Sequence, residues 1–185
     1  MFLPLNQPLD LEITLESGQT FQWRRRNNWW IGSLSNNIAF IRNTPGGLEF
    51  LTDMNPPSHM AKLLTNYFRL DDDLNAIQSS LAQDKYLAQS ISQFKGLRLL
   101  RQDPWECLIT FICSQNANMK RIKTMLQNIA ITFGTNSDYK DETIYSLPSP
   151  EILAEVGESK LRHIGLGYRA KYISESAKSI VGQQV

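Results

Sequence analysis

The spacing of apolar residues changes along the chain, and this change limits the folds available to it. In the first fifty residues apolar side chains alternate or form short runs, whereas from Ser58 onward they recur at helical spacing. Alternation is typical of strands, and recurrence every three or four residues is typical of helices. A strand-rich segment followed by a helix-rich segment predicts an α+β chain or two adjoining domains.

Short apolar runs with turn residues between them predict an antiparallel meander in the first fifty residues. The turn signals are Ser17-Gly18, Asn36-Asn37 and Pro45-Gly46-Gly47. The first run is the alternating series Leu9, Leu11, Ile13 and Leu15, at strand period. The predicted strands lie at residues 9–15, 21–23, 29–34, 38–41 and 48–51.

Capping residues divide the rest of the chain into helices. The clearest signal is Asp103-Pro104-Trp105-Glu106, in which an Asp cap, a Pro at the first helical position and a Glu at the third form a capping box. Residues 108–112 are apolar nearly all round, which predicts a central, buried helix. Further helices are predicted after a cap at Ser58, after Asp71-Asp72-Asp73, over residues 84–94, over residues 122–133 with Gly134 as the stop, after Ser149-Pro150, and over residues 168–181.

The predicted organisation is an N-terminal antiparallel β-sheet domain with flanking helices, residues 1–95, and a helical part, residues 96–185. Patterning and charge balance both shift near residues 94–100. Residues 1–93 carry 7 Lys+Arg and 9 Asp+Glu, a net of −2, and residues 94–185 carry 12 and 9, a net of +3. The whole chain has a net charge of +1, and the net of +3 in residues 94–185 is far below that of a strongly basic domain. Charge alone therefore does not indicate nucleic acid.

Cysteine and histidine positions argue against a disulfide and against a metal centre. Cys107 and Cys113 are six residues apart, about 240° around a helix, so they should not bridge. Reduced, buried thiols of an intracellular protein are predicted. His59 and His163 lack neighbouring ligands at metal-binding spacing, so no metal site is predicted. No apolar run reaches membrane-spanning length.

Two segments are candidates for recognition on their residues alone. Residues 114–118 form a polar loop between apolar helices, with Arg121 just beyond, and amides and Arg can pair with base edges or phosphate. An Asn118 that merely caps the next helix explains this loop equally well. In residues 165–169, glycines would let a ligand approach Tyr-Arg closely, yet a helix-to-helix turn is favoured locally. Arg24-Arg25-Arg26 is interpreted as a solvated strand end rather than a phosphate contact.

Three separated motifs stand out together. They are Ser17-Gly18-Gln19-Thr20-Phe21-Gln22-Trp23, then Gly96-Leu97-Arg98-Leu99-Leu100-Arg101-Gln102-Asp103-Pro104 with Glu106-Cys107-Leu108 and Phe111-Ile112-Cys113-Ser114 to Asn116, and then Gly165-Leu166-Gly167-Tyr168-Arg169-Ala170. In this order they resemble the 8-oxoguanine DNA glycosylase family over nearly the whole chain. The resemblance implies a TATA-binding-protein-like antiparallel sheet domain followed by an incomplete all-α helix-hairpin-helix glycosylase domain.

The resemblance also implies an activity. Family members flip a damaged guanine out of duplex DNA, displace the base with a lysine and cleave the strand through a Schiff base, with an aspartate assisting. The implied partner is double-stranded DNA containing oxidised guanine, bound by a monomer without a metal or organic cofactor and without a membrane.

Five residues of this sequence match residues with known roles in the family. Gly18 matches the glycine whose carbonyl accepts the N7 proton of oxidised guanine. Asn116 matches the asparagine that fills the gap left by the flipped base, and Arg121 and Arg169 match the arginines that hold the orphaned cytosine. Tyr168 matches the aromatic wedge. Gln115 and Ala117 depart from the family's asparagine-rich loop, which bears on opposite-base preference.

The catalytic lysine and aspartate are expected beyond Val185, together with a Leu-Pro-Gly-Val-Gly hairpin. No lysine of this chain stands at the matching position, so the 185 residues alone are expected to lack glycosylase activity. Three hypotheses follow: part of an enzyme, a module that binds damaged DNA without chemistry, or an inactive α+β domain. Uncovered apolar faces on the helices that begin at Asp103 and Asn118 also predict aggregation.

Overall fold

The computed structural model describes residues 1–182 and divides the chain into two compact units, Met1–Arg101 and Gln102–Val185. Residues 183–185, the end of the chain after the last predicted helix, lie outside the described residues. No helix within residues 1–182 is both long and apolar enough to cross a membrane.

A five-stranded antiparallel sheet forms the centre of the first unit. Its strands are β1 (Phe2–Pro4), β2 (Arg24–Arg26), β3 (Trp29–Leu34), β4 (Asn37–Thr44) and β5 (Gly47–Thr52), and their order in the sheet is β1-β5-β4-β3-β2. The predicted antiparallel meander is confirmed for β3, β4 and β5. The strand predicted at residues 21–23 is wrong, because the chain pairs with β3 only from Arg24 onward, and β1, which pairs with β5 at the edge of the sheet, was not predicted.

The predicted strand over residues 9–15 is wrong, because this segment is helix α1 (Leu11–Glu16). The Asp10 side chain accepts a hydrogen bond from the Ile13 amide at 3.0 Å and so caps the helix. Leu11, Thr14 and Leu15 are buried together, at the three- and four-residue spacing of one helical face. The alternating apolar residues therefore fit both the strand period and the helix period, and the Asp10 cap favoured the helix.

Helix α2 (Pro57–Tyr67) packs its Met60 and Leu64 into the core of the first unit. The prediction that Ser58 caps this helix is wrong, because the helix begins at Pro57, directly after Pro56. The core also holds Trp23, whose indole N–H donates to the Tyr67 hydroxyl at 3.1 Å. The ring of Trp23 lies so close to β3 that a β-carbon built at Gly32 would be 2.6 Å from its Cδ2 atom.

Helices α3 (Leu74–Leu81) and α4 (Lys85–Gln93) contain no buried residue. Asp73 caps α3 as predicted, and Asp84 caps α4 by accepting from two backbone amides. With residues 94–99, the two helices enclose an apolar cavity of about 340 Å³. Its apolar lining consists of Leu74, Ile77, Leu81, Ile91, Phe94, Leu97 and Leu99.

Residues 96–101 belong to the first unit, which ends at Arg101. The Gly96 carbonyl accepts from the Asp10 amide at 2.9 Å. The Arg98 guanidinium donates to the carbonyls of Pro8 at 3.2 Å and Arg69 at 2.6 Å. These bonds hold the segment against the start of the chain.

The second unit contains the predicted helices and, in addition, a β-hairpin that was not predicted. Asp103 caps the first helix as predicted, accepting from the amides of Trp105 and Glu106 at 2.9 and 3.0 Å. The elements are α5 (Pro104–Ser114), α6 (Met119–Phe133), β6 (Thr135–Tyr139), β7 (Glu142–Ser146), α7 (Pro150–Leu161), a π-helical turn (Arg162–Leu166) and α8 (Arg169–Gly182).

Helix α5 buries one face only, which corrects two predictions. Ile109, Ile112 and Cys113 are buried, whereas the Phe111 side chain is 66% exposed. Cys113 is buried as predicted, but Cys107 is exposed because six residues of helix turn it away from that face. Both thiols are free, as expected.

Candidate nucleic-acid interface

The loop between α5 and α6 presents Asn116 in a left-handed backbone conformation, with φ of 48°. Asparagine adopts this conformation more readily than most residues. The loop ends at Asn118, whose side chain accepts from the Arg121 amide at 2.9 Å. Asn118 is therefore the N-cap of α6, one of the two roles that the sequence left open, while Asn116 and Gln115 are exposed amide side chains of the loop.

A glycine turn lies between α7 and α8 and begins with the π-helical turn. Gly165 and Gly167 have φ of 91° and 62°, a backbone region that residues other than glycine rarely adopt. Leu166 between them is fully buried and anchors the turn. Tyr168, which follows, is 45% exposed.

Hydrogen bonds join this turn to the α5–α6 loop. The Arg121 Nη2 atom donates to the Gly165 carbonyl at 2.5 Å, and the Tyr168 hydroxyl donates to the Gln115 carbonyl at 3.2 Å. Arg169 Nη2 donates to the Gln115 carbonyl and, at 3.3 Å, to that of Asn116. Asn116, Arg121, Tyr168 and Arg169, here called the loop–turn cluster, are thus brought together by bonds to backbone oxygens.

Arg169 is a buried cation, with only 7% of its surface exposed. Its guanidinium lies 4.6 Å from the centre of the Tyr168 ring, within the range of a cation–π interaction. Its Nε has no hydrogen-bond partner among the residues that the structure describes. An unsatisfied buried donor lowers the free energy of unfolding by about 1–3 kcal/mol. The hydrogen bonds from Arg169 to the carbonyls of Gln115 and Asn116 oppose this cost.

Cys113 is the buried thiol next to this cation. Burial raises the pKa of Cys113 to about 11, and the charge of Arg169 acts in the opposite direction. The thiol is therefore neutral near pH 7, and a neutral buried thiol is a packing group rather than a nucleophile.

Tyr168 presents a flat aromatic ring to solvent in a fixed orientation. Tyr172, one helical turn later, packs edge-on against it with ring centres 6.4 Å apart and an interplanar angle of 82°. The hydroxyl is bonded to the α5–α6 loop and Arg169 lies over the ring. A ring fixed in this way can stack on or wedge between bases without losing further rotamer freedom.

Gly18 lies in the first unit, in the loop after α1, and its φ is 86°. Gln19 next to it donates to the Ser17 hydroxyl at 2.9 Å and to the Arg98 carbonyl at 3.0 Å, and its side-chain oxygen accepts from the Leu100 amide at 2.9 Å. The side chain that follows the glycine is therefore held by the residue before the glycine and by residues 98 and 100.

Sequence reasoning missed Asn128, a half-buried residue of α6 that donates to the Ile164 carbonyl at 2.9 Å. Its position seven residues after Arg121, on the same face of α6, was the available signal. Arg25 in the arginine run pairs with Glu12 at 2.9 Å on the surface, in keeping with a solvated strand end. Within residues 1–182, no group of three metal-ligating side chains comes together.

Two family models together match nearly the whole chain. The model described as 8-oxoguanine DNA glycosylase, N-terminal domain, matches residues 2–108. The model described as HhH-GPD superfamily base excision DNA repair protein matches residues 109–185.

Curated relatives are longer than this chain. An N-glycosylase/DNA lyase of Saccharomyces cerevisiae is 35% identical over 95% of this chain and 50% of its own length. N-glycosylase/DNA lyase OGG1 of Arabidopsis thaliana is 29% identical over 93% of this chain and 48% of its own length. The chain therefore spans about half the length of these two relatives.

Solved structures of similar sequence share the fold. The structure of MBOgg1 in complex with a low-affinity DNA ligand has a TM-score of 0.92 and 30% identity, covering 100% of this chain and 63% of that one. The 8-oxoguanine glycosylase/lyase of Clostridium acetobutylicum, in complex with double-stranded DNA that has cytosine opposite 8-oxoguanine, has a TM-score of 0.88 and 26% identity, covering 100% and 66%.

Proposed function

Because the chain belongs to the 8-oxoguanine DNA glycosylase family, we propose that it forms part of a base-excision repair DNA glycosylase and AP lyase that acts on oxidised guanine in duplex DNA. The observation that carries this proposal is the loop–turn cluster. An exposed amide, an exposed guanidinium and an aromatic ring fixed by hydrogen bonds lie together there. These are the groups that pair with base edges, contact phosphate and stack on bases.

Within the cluster, each side chain has a proposed role. Asn116 fills the space left by the flipped base, and Tyr168 acts as the wedge that keeps the duplex open. Arg121 is exposed and offers its remaining donors to the orphaned cytosine. Arg169 is buried, so its guanidinium also holds the Asn116 loop while one edge faces the same base.

Gly18 is proposed to read the lesion. Oxidised guanine carries a hydrogen on N7, whereas normal guanine has a lone pair there. A backbone carbonyl that accepts this hydrogen would face the lone pair of guanine and repel it, so one hydrogen bond discriminates between the two bases. The left-handed backbone of Gly18 and the anchored side chain of Gln19 next to it support this proposal.

No lysine of this chain is assigned as the nucleophile, because none stands at the position that the resemblance implies. The test is borohydride trapping of the purified chain on duplex DNA with 8-oxoguanine opposite cytosine, with strand cleavage read on the same gel. We expect binding without a covalent adduct and without cleavage. An adduct would assign the nucleophile to a lysine within residues 1–185, and absence of any duplex binding would contradict the proposed function itself.

Tyr168 allows a sharper test of the cluster. Tyr168→Ala removes the ring and should weaken binding to lesion-containing duplex about ten-fold, in line with a stacking contribution of about 1–3 kcal/mol. Tyr168→Phe keeps the ring and the Arg169 contact and loses only the bond to Gln115, so it should retain most of the affinity. Fluorescence anisotropy measures both, and thermal melts check folding. Equal affinity of Tyr168→Ala and wild type would reduce Tyr168 to a surface packing residue.

A further inference from the structure

Two side chains of α6 hold consecutive carbonyls of the glycine turn. Arg121 Nη2 donates to the Gly165 carbonyl at 2.5 Å, and Asn128 Nδ2 donates to the Ile164 carbonyl at 2.9 Å. Seven residues are about two turns of helix, so both side chains leave α6 on the same face. The turn is therefore attached to α6 at two adjacent points.

These two bonds matter because the turn carries the wedge. Gly165 and Gly167 give the backbone unusual freedom, and Tyr168 follows directly. Fixing the carbonyls of Ile164 and Gly165 removes part of that freedom. The position of the Tyr168 ring thus depends on how firmly Ile164 and Gly165 are held.

The two bonds differ in what DNA would do to them. Arg121 is exposed and is one of the residues proposed to contact the orphaned cytosine, so its guanidinium has a competing partner in the complex. Asn128 is half-buried among core residues of α6 such as Met125 and Ile129. We therefore expect its amide to keep the bond to Ile164 when Arg121 turns toward DNA.

We propose that Asn128 is a positioning residue for the loop–turn cluster. It does not contact DNA; it holds the Ile164 carbonyl so that Tyr168 and Arg169 start from a fixed place when Arg121 engages the duplex. This inference rests on the proposed function of the cluster. It adds a residue of α6 to a site whose other members lie in the loop, at the start of α6 and after the turn.

The first test compares two variants at Asn128 with one at its neighbour. Asn128→Leu keeps the branched shape and the number of side-chain heavy atoms but has no donor, and Asn128→Asp places a carboxylate against the Ile164 carbonyl. Gln127→Leu, at an exposed adjacent position, is the matched control. The probe is a duplex with a tetrahydrofuran abasic analogue opposite cytosine. Asn128→Leu should bind it about five-fold more weakly and Asn128→Asp more weakly still, while Gln127→Leu stays within about two-fold, as one lost hydrogen bond predicts.

The second test separates positioning from a general loss of structure. In a Tyr168→Ala background, Asn128→Leu should cost less than about two-fold, because both residues act through the same contact. Hydrogen exchange of amides 164–168 in the free protein should quicken in Asn128→Leu, with the rest of α6 unchanged. Asn128→Gln, which keeps the amide, should recover most of the affinity and serves if the leucine variant does not fold.

The outcomes separate this inference from the function on which it rests. Wild type that fails to bind the duplex overturns the proposed function, and this proposal with it. Wild type that binds, with Asn128→Leu equal to it or with equal losses in both backgrounds, overturns the positioning role alone. Unchanged exchange at residues 164–168 does the same.

Discussion

Gly18 and Gly46 both take a left-handed backbone conformation, with φ of 86° and 80°. Only Gly18 is proposed to read the lesion. At Gly46 an added β-carbon would meet no atom within 4 Å. Alanine at either position should therefore lower the free energy of unfolding by about 1 kcal/mol through backbone strain. Gly46→Ala isolates this strain.

The pair separates strain from recognition. Gly18→Ala should reduce the preference for binding 8-oxoguanine over guanine, because the methyl group crowds the approach to the carbonyl. Gly46→Ala should leave that preference unchanged. The measurement is the ratio of the dissociation constants for the two duplexes. An unchanged ratio in Gly18→Ala would mean that the carbonyl does not read N7.

The buried thiol of Cys113 predicts a loss of stability at alkaline pH. The ordinary pKa is 9.0, and burial raises the pKa of Cys113 in the folded state to about 11. Between these values the unfolded chain releases the proton and the folded chain keeps it. The free energy of unfolding should therefore fall as pH rises through this interval, by on the order of 2 kcal/mol.

Urea titrations between pH 8 and pH 11 measure this fall, and Cys113→Val supplies the control. The variant should show a smaller fall over the interval, because its side chain does not ionise. A slope that is identical in the variant and in wild type would mean that other groups cause it.

Cys107, which is exposed, should react with a thiol reagent in the folded protein before Cys113 does.

At the scale of elements, two aspartate caps of the same geometry allow a comparison between helices. Asp103 and Asp84 each accept from two amides at the start of their helices. Helix α5 buries Ile109 and Ile112, whereas α4 buries no residue. A cap is worth about 1 kcal/mol, but only a helix that is part of the core transmits this loss to global unfolding.

We therefore expect Asp103→Ala to lower the free energy of unfolding of the second unit by about 1 kcal/mol in urea. Asp84→Ala should change the global transition little and instead speed amide exchange within α4. Equal shifts of the global transition in both variants would contradict the view that α4 is peripheral.

The caps at Asp73 and Asp103 were predicted from the sequence, and the reason is local. Each satisfies an amide two or three residues away, so its effect can be read without knowing the rest of the fold. The cap predicted at Ser58 was wrong, because helix α2 begins one residue earlier, at Pro57. The strand predicted at residues 9–15 failed because its leucines fit both periods and only the Asp10 cap distinguished them. Strand β1 was missed because its pairing partner, β5, lies far along the chain. The β6–β7 hairpin is local, but it was missed because strand β6 is mostly polar and shows no apolar alternation.

The candidate site divides in the same way. Residues 114–118 and 165–169 attracted attention as a polar loop and a glycine turn, but their proximity could not be deduced from spacing. It depends on long-range bonds such as Arg121 to Gly165 and Tyr168 to Gln115. The DNA roles of these residues, and that of Gly18, stay predictions until the binding measurements are made.

At the scale of the whole molecule, exposed apolar side chains predict self-association. In the second unit the Phe111 side chain of α5 is exposed, and Ile131 of α6 is 59% exposed. Changing both to serine should raise the concentration at which light scattering begins by roughly two-fold or more, because apolar patches drive association. The melting temperature should change little, since neither side chain packs in the core.

Ile109→Ser is the contrasting variant, because Ile109 lies on the same helix and is fully buried. It should unfold the second unit, since it places an unpaired hydroxyl and a cavity in the core. Scattering that is unchanged in the double serine variant would mean that association uses another surface.

The close approach of Trp23 to Gly32 means that the residue allowed at one of these positions depends on the residue at the other. A β-carbon at position 32 has no room while an indole occupies position 23, and loss of the indole would remove a hydrogen-bond donor from Tyr67. In lineages related to this chain, a larger residue at position 32 should therefore appear only together with a smaller one at position 23. Positions 23, 32 and 67 should therefore be inherited together rather than vary one at a time.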